Sequence, residues 1–153
     1  MHVEGGVVRI ARRDALPASP RGDLLQAGPL LVAEGEAVYD RALDPEGFSA
    51  GAYQFDSDIT AARHPRAALA VTTDDDLLAI ACDGRARGDA GMTLEELAVV
   101  CRDLGAVAAL NLDGGGSASL VAGGRLRNRP RKDFGVPEPG GRAVATALVF
   151  SRP

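Results

Sequence analysis

Three successive glycines directly after an apolar run place the strongest constraint on how this chain folds. Ala106 to Leu112 is apolar apart from Asn111, which is typical of a short strand buried on both faces. Asp113 and the glycines Gly114 to Gly116 interrupt this run, and Ser117 follows. No Gly-Lys-Ser/Thr follows, and the glycine spacing does not fit a dinucleotide-binding fingerprint. The sequence therefore predicts a buried strand that ends in a glycine-rich loop of neither type.

The chemistry of this loop allows two interpretations. Without Cβ atoms, the glycines can adopt positive φ and leave successive N–H groups unshielded, and such amides can bind an anion. Asp113 and Asn111 would then add a base and a hydrogen-bond donor at the end of the same strand. In the second interpretation the segment is a tight turn, and Asp113 caps its own backbone. The residues by themselves leave both interpretations open.

Most other patterns along the chain are typical of strands. Two apolar runs, Ala67 to Thr72 and Leu77 to Cys82, flank the acidic segment Asp74 to Asp76 and predict a hairpin with a solvated turn. Further strand-like segments are Val7 to Ile10, Leu30 to Ala33, Ser117 to Val121 and a last one from Ala143 to Phe150.

One segment has clear helical periodicity. Thr93 and Glu96 have the spacing of a capping box, apolar residues recur from Leu94 to Leu104, and Gly105 follows in the position of a C-terminal cap. We therefore predict an α+β fold, with a mixed, largely antiparallel sheet and one main helix from Thr93 to Leu104.

Length and charge narrow the class of protein. A chain of 153 residues is about one domain in size, so we expect residues 1–153 to form a single domain. The net charge of -4 argues against a general binder of nucleic acid or of membrane surfaces. The sequence has neither an apolar stretch long enough to cross a membrane nor a recognisable leader. As given it would be cytoplasmic, but the residues leave its location open. Cys82 and Cys101 lie in apolar segments and are expected to be free thiols.

Several short segments, taken in order, resemble the phosphodiester glycosidase family. The most specific is Asn111 to Ser117, which reads Asn-Leu-Asp-Gly-Gly-Gly-Ser. The other segments are Gln26 to Val32, His64-Pro65-Arg66, Asp83-Gly84-Arg85, Asn128-Arg129-Pro130 and Arg142-Ala143-Val144. The resemblance extends over residues 26–150. Residues 1–25 do not match, because the Asn-Gly-Gly-Phe-Phe-like motif of the family is absent before Gln26. Ala67 and Ala70 stand where the family has Thr and Gly.

The resemblance implies cleavage of the bond between a sugar C1 and a phosphate oxygen of a glycosyl phosphodiester. Because this substrate is anionic, arginines and amides can stabilise it, while a carboxylate activates water or supports the oxocarbenium-like carbon. Asp113 is the predicted catalytic carboxylate. Glu96 is the second candidate, although its capping-box position explains it without catalysis. The predicted substrate- and phosphate-binding residues are Arg66, Asn111, Gly114, Gly115, Gly116, Ser117, Asn128 and Arg142. Asp83-Gly84-Arg85 is interpreted as a turn.

We expect no cofactor. His2 and His64 have no ligand partner at metal-site spacing, which argues against zinc. Asp56 and Asp58 leave calcium as an alternative, although the segment lacks a full calcium ligand loop. The expected partner is a small glycosyl phosphodiester or a phosphosugar, with no nucleic acid and no membrane span.

Two other functions fit the same residues. In the first, the chain is a non-catalytic module that binds phosphosugars or anionic glycans. In the second, the chain forms a homo-oligomer in which a second subunit completes the site.

Overall fold

The strands of the computed structural model form one central sheet and two small ones. It describes residues 1–44, 46–48 and 58–151. In these residues the strands are β1 (His2–Glu4), β2 (Val7–Arg9), β3 (Asp23–Leu24), β4 (Leu30–Ala33), β5 (Glu36–Ala37), β6 (Arg66–Thr72), β7 (Leu77–Cys82), β8 (Ala106–Asn111), β9 (Val121–Ala122) and β10 (Arg125–Leu126). The α-helices are α1 (Asp58–Ala61) and α2 (Leu94–Asp103). Within this described part, neither helix has the length and apolar character needed to cross a membrane.

The central sheet has five strands in the order β5-β4-β8-β6-β7, and all neighbouring strands are antiparallel. β6 and β7 form the predicted hairpin, paired from Arg66 with Cys82 to Val71 with Leu77. Asp74 to Asp76 lie exposed in the turn between them. Because β8 lies between β4 and β6, the chain leaves the middle of the sheet where β8 ends. The predicted α+β fold with a largely antiparallel sheet is confirmed.

The two faces of the central sheet are covered by different elements. One face packs against α2, and the buried cluster there includes Leu31, Val32, Ala68, Ala70, Leu94, Leu97, Ala98, Cys101, Ala106 and Ala109. On the other face, Val71 and Leu110 pack with Ile10, which directly follows β2 of the small sheet β2-β1-β3. Since alternate residues of a strand point to opposite faces, β6 and β8 supply apolar side chains to both layers. These two strands are therefore buried on both sides, as predicted for the run before the glycines.

The α2 helix is confirmed together with both of its caps. The Thr93 hydroxyl accepts a hydrogen bond from the Glu96 amide at 3.2 Å, and the Glu96 carboxylate accepts one from the Thr93 amide at 3.1 Å. At the other end, Gly105 has a φ of +87° and its amide donates to the Arg102 carbonyl at 2.8 Å. The side chains of Leu94, Leu97, Ala98 and Cys101 are buried at the spacing of one helix face.

The predicted strand from Ser117 to Val121 is wrong. Ser117 is the last residue of a single 3₁₀ turn, Gly115–Ser117, and only Val121 belongs to a strand, β9. The reason is that a side chain forms hydrogen bonds with the backbone amide and carbonyl groups that would otherwise pair with a neighbouring strand. Asn128 donates to the Ala118 carbonyl at 2.7 Å and accepts from the Leu120 amide at 2.9 Å.

The predicted last strand from Ala143 to Phe150 is also wrong. The segment is exposed along its whole length and pairs with no strand among the described residues. Val149 and Phe150 are 86% and 54% exposed. An apolar, strand-like pattern becomes a strand only where a neighbouring backbone supplies the ladder of hydrogen bonds. No strand of the described fold offers one to this segment.

Candidate functional site

The segment Asp113–Ser117, which we call the glycine loop, leaves β8 at the end of the sheet where β6 begins and β7 ends. The Gly115 amide donates to the carbonyl of Pro65, the residue before β6, at 2.8 Å. A methyl group built on Gly114 would lie 2.8 Å from that same oxygen. The loop therefore packs directly against backbone, and a residue without a side chain is needed at Gly114.

Most amides of the glycine loop donate within the protein. The Gly114 amide donates to Oδ1 of Asp113 at 2.9 Å, and the Ser117 amide donates to the Gly114 carbonyl at 3.1 Å. The Gly115 amide donates to Pro65, so of the three glycines Gly116 is the one whose amide has no acceptor among the described residues. The local cap by Asp113 that the turn interpretation requires is present. Anion binding by the glycine amides stays a prediction, and it now depends on Gly116.

A carboxylate, a hydroxyl and a guanidinium meet on the solvent side of the loop. Nη2 of Arg142 donates to Oγ of Ser117 and lies 3.9 Å from Oδ2 of Asp113. The side chain of Asp113 is 73% exposed and that of Arg142 is 50% exposed. Because both charged groups face solvent, a ligand can reach them without a rearrangement of the core.

Arg66, the other predicted phosphate clamp, is buried and is 1% exposed. Its Nε donates to the Met92 carbonyl at 3.0 Å and its Nη2 donates to the Ala62 carbonyl at 2.8 Å. These bonds tie the start of β6 to the segments next to α1 and α2. They describe a structural arginine, so the clamp role of Arg66 stays a prediction that its contacts do not support.

The two predicted asparagines also bind backbone groups. Asn111 is 1% exposed, and its Nδ2 donates to the Gly28 carbonyl at 3.1 Å. Its buried Oδ1 has no hydrogen-bond partner among the described residues. Asn128 holds Ala118 and Leu120, as described above. Both side chains shape the chain around the loop, and their contact with a substrate stays a prediction.

Glu96 is engaged at the N-terminus of α2. Its carboxylate accepts from the Thr93 amide and also from the guanidinium of Arg63. The bond from Thr93, followed by the one from Arg63, lowers the pKa of Glu96 below its ordinary value. These contacts explain the carboxylate through the helix cap, and the catalytic role of Glu96 stays a prediction without a supporting contact.

Arg85 reaches the glycine loop, although the sequence reasoning interpreted Asp83-Gly84-Arg85 as a turn. A methyl group on Gly115 would lie 3.1 Å from Nη1 of Arg85. The same guanidinium pairs with Oδ1 of Asp133 at 3.0 Å and lies 3.5 Å from Nδ1 of His64. The sequence contained a signal for Arg85. Its motif, Asp83-Gly84-Arg85, directly follows β7, and β6, the hairpin partner of β7, begins beside the glycine loop.

Glu138 lies against Gly116 and was also missed. A methyl group on Gly116 would lie 2.8 Å from Oε2 of Glu138 and 3.6 Å from Cδ of Arg142. This carboxylate oxygen is buried and has no hydrogen-bond partner among the described residues. No local pattern marks Glu138, which stands in a proline-rich segment, so only the tertiary fold brings it to the loop.

The described residues contain no cluster of metal ligands. No group of three or more His, Cys, Asp or Glu side chains there could hold a metal ion. Asp56 lies outside the described residues, and only the backbone of Asp58 is described. Calcium binding by these two aspartates stays a prediction.

A family model described as phosphodiester glycosidase matches residues 1–151 of this chain. The match includes the first 25 residues, which the sequence motifs left outside the resemblance. No curated protein matches the sequence significantly.

Several solved structures are similar to the chain, including one from Synechocystis and one from zebrafish. A hypothetical protein from Synechocystis is 39% identical over 68% of this chain and 18% of its own length, with a TM-score of 0.54. The second is the catalytic domain of zebrafish N-acetylglucosamine-1-phosphodiester alpha-N-acetylglucosaminidase, auto-inhibited by its pro-peptide. It is 22% identical over 74% of this chain and 38% of its own length, with a TM-score of 0.53, which shows the fold alone. The chain thus spans less than two thirds of either protein.

Proposed function

Because the chain belongs to the phosphodiester glycosidase family, we propose that the glycine loop carries a hydrolase site for glycosyl phosphodiesters. The bond cleaved is the one between the sugar C1 and a phosphate oxygen. The observation that carries this proposal is the meeting of Asp113, Ser117 and Arg142 on the exposed side of the loop.

The reaction needs one group that accepts a proton from water and another that stabilises the charge of the departing phosphate. Water attacks C1 and its oxygen forms the new bond to carbon, while one of its protons passes to the carboxylate of Asp113. The old C1–O bond breaks and its electron pair stays on the phosphate oxygen. Arg142 stabilises the negative charge of the phosphate monoester through charge-assisted hydrogen bonds. Because this leaving group is already acidic, no separate proton donor is required.

Hydrolysis of a panel of glycosyl p-nitrophenyl phosphate diesters tests the proposal. The product, p-nitrophenyl phosphate, is detected by coupling to an alkaline phosphatase. In a separate reaction in isotopically labelled water without the phosphatase, attack at C1 leaves the p-nitrophenyl phosphate unlabelled, whereas attack at phosphorus places the label in the phosphate product. Label in the phosphate, or no turnover above buffer, would overturn the proposal.

A variant that lacks the Asp113 carboxylate is compared with a variant that lacks a carboxylate away from the site. We expect Asp113→Asn to lower kcat about a hundredfold or more, because the amide cannot accept the proton from water. The control is Asp103→Asn at the end of α2, where the carboxylate is exposed and pairs with Arg102. This control should keep the wild-type rate.

A non-catalytic phosphosugar-binding module is the second candidate. The observation that favours it is the use of the Gly114 and Gly115 amides within the protein, which leaves fewer donors for a transition state. This candidate predicts binding of sugar phosphates without turnover of any diester, so the same assay separates the two functions.

A further inference from the structure

We propose that Arg85 is a phosphate-binding residue that acts together with Arg142 at the glycine loop. The inference rests on the proposed function for its place in a reaction, because it names a second cation for the same substrate group. Its ligand is a phosphate monoester or diester. The test measures binding, so it does not depend on turnover.

The first observation is the contact between the Arg85 guanidinium and Gly115. A methyl group on Gly115 would lie 3.1 Å from Nη1 and 3.3 Å from Nη2, so the missing side chain is what lets the guanidinium lie on the loop. A methyl group on Gly116 would meet Cδ of Arg142 at 3.6 Å. Since adjacent α-carbons are about 3.8 Å apart, two arginine side chains contact neighbouring positions of one loop. A phosphate offers several oxygens and is commonly bound by more than one guanidinium fork.

The second observation is that Arg85 is held in a strained backbone conformation. Its φ is +56°, a left-handed region that is unfavourable for a residue with a Cβ atom. The backbone oxygen of Arg85 also contacts the position where any side chain on Gly135 would stand. His64 and Asp133 hold the guanidinium, and the side chain is 19% exposed. Strained positions that the surrounding structure enforces are concentrated at binding and catalytic sites.

Asp133 shows how an anion pairs with Arg85. Its Oδ1 lies 3.0 Å from Nη1, and its side chain is 77% exposed. An ion pair with so exposed a carboxylate is weak in water. A phosphate offers more oxygens than a carboxylate and, as a monoester, a higher charge, so it can displace Asp133. This leads to a prediction of opposite sign at the two residues: loss of Arg85 weakens phosphate binding, and loss of the Asp133 charge strengthens it.

Arg85 is better placed than Arg66 to bind phosphate together with Arg142. Arg66 is 1% exposed and donates to two backbone carbonyls. Its release would take these donors away from both carbonyl oxygens. Arg85 needs only to exchange an exposed carboxylate for a ligand.

Isothermal titration of the full chain with inorganic phosphate and with glucose 1-phosphate tests the inference. We expect Arg85→Gln to weaken binding of both ligands about tenfold or more, because a charge-assisted bond is lost. Arg87→Gln is the matched control: Arg87 is an exposed arginine two residues further along, and its loss should change affinity by less than about twofold. Asp133→Asn should strengthen binding by about two- to fivefold.

Two results would overturn the inference: phosphate affinity that is unchanged in Arg85→Gln, or a wild-type chain that binds neither ligand. If the glutamine variant does not fold, Arg85→Lys keeps the charge without the planar fork and should still weaken binding by several-fold. A wild type that binds phosphate through Arg85 but hydrolyses no diester would overturn the proposed function and leave this inference standing.

Discussion

In the glycine loop, Gly115 has a φ of +58°, whereas Gly114 has an extended φ of −113° that any residue adopts. The backbone conformation at Gly115 therefore favours glycine, because other residues adopt it only with strain. Gly114 is required by space, because the Pro65 carbonyl oxygen lies 2.8 Å from where a methyl group would stand. Neighbouring residues of one type thus meet different physical demands.

Gly114→Ala should lower the free energy of unfolding by about 1–3 kcal/mol, because the backbone of Pro65 must move to admit a methyl group. Gly88→Ala is the matched control. At Gly88 a methyl group would meet nothing within 4 Å, so stability should be unchanged or slightly higher. Urea unfolding of both variants measures the difference. Equal stability of the two variants would show that the loop is not packed against Pro65.

Cys101 makes stability depend on alkaline pH. Its thiol is free, and burial raises its pKa from 9.0 to about 11. An acid whose pKa is raised by folding stabilises the native state fully below the pKa of the unfolded thiol. That contribution is lost as the pH rises from about 9 towards 11, and it amounts to about 2–3 kcal/mol for a shift of this size.

Urea unfolding between pH 8 and about 11.5, for the wild type and for Cys101→Ala, measures this effect. The alanine variant lacks the thiol, so the stability difference between the two proteins should narrow as the pH rises. A difference that stays constant over this range would contradict the assignment. Other groups that ionise in alkali, including Cys82 and Lys132, are common to both proteins and cancel in the comparison.

At the scale of the element, α2 begins and ends where local side chains satisfy its backbone. The capping box of Thr93 and Glu96 binds amides that have no partner inside the helix, and Gly105 ends it with a positive φ. The buried face then docks the helix on β4 and β8. These features use residues within a few positions of one another, so the sequence reveals them.

Thr93→Ala should lower the free energy of unfolding by about 1 kcal/mol, because the Glu96 amide loses its acceptor. Thr73→Ala removes the same atoms from an exposed position in the β6–β7 turn, and it should change stability by less than about 0.5 kcal/mol. Thermal unfolding of the two variants side by side measures the cap. If both variants had the melting temperature of the wild type, the cap would make no contribution to stability.

At the scale of the whole molecule, α2 and the small N-terminal sheet cover opposite faces of the central sheet. β6 and β8 lie in the interior of that sheet, whereas residues 143–150 lie outside it. Protection of backbone amides should follow this arrangement, since local opening needs least energy where few contacts are lost.

Hydrogen–deuterium exchange should therefore be slowest for amides of β6 and β8 and fastest for residues 143–150. The measurement also tests directly that residues 143–150 do not form the strand that their sequence predicts. Strong protection of residues 143–150 would mean that this segment pairs with another strand in solution, as its apolar pattern suggests. The hairpin turn at Asp74 to Asp76 serves as an exposed internal reference.

The elements that the sequence predicted correctly depend on short-range patterns. The β6–β7 hairpin follows from two apolar runs around three aspartates, and α2 follows from its capping box and its buried face. The two wrong strand predictions concern segments whose conformation depends on residues further away in the sequence. Ser117 to Val121 lost its strand pairing to Asn128, and Ala143 to Phe150 found no neighbouring strand in the described fold.

The amino-acid sequence by itself determined the glycine loop, the strand that precedes it and the main helix, because each depends on residues close together in the chain. It also indicated the family, through several such short segments that occur in order. Only the tertiary structure decided which arginines reach the loop. It buried Arg66 among backbone carbonyls, set Arg85 on Gly115 and brought Glu138 to Gly116. Apart from the bond of Arg66 to the Ala62 carbonyl, those contacts join residues more than twenty positions apart in the sequence, and their geometry depends on how β6, β7 and β8 pair.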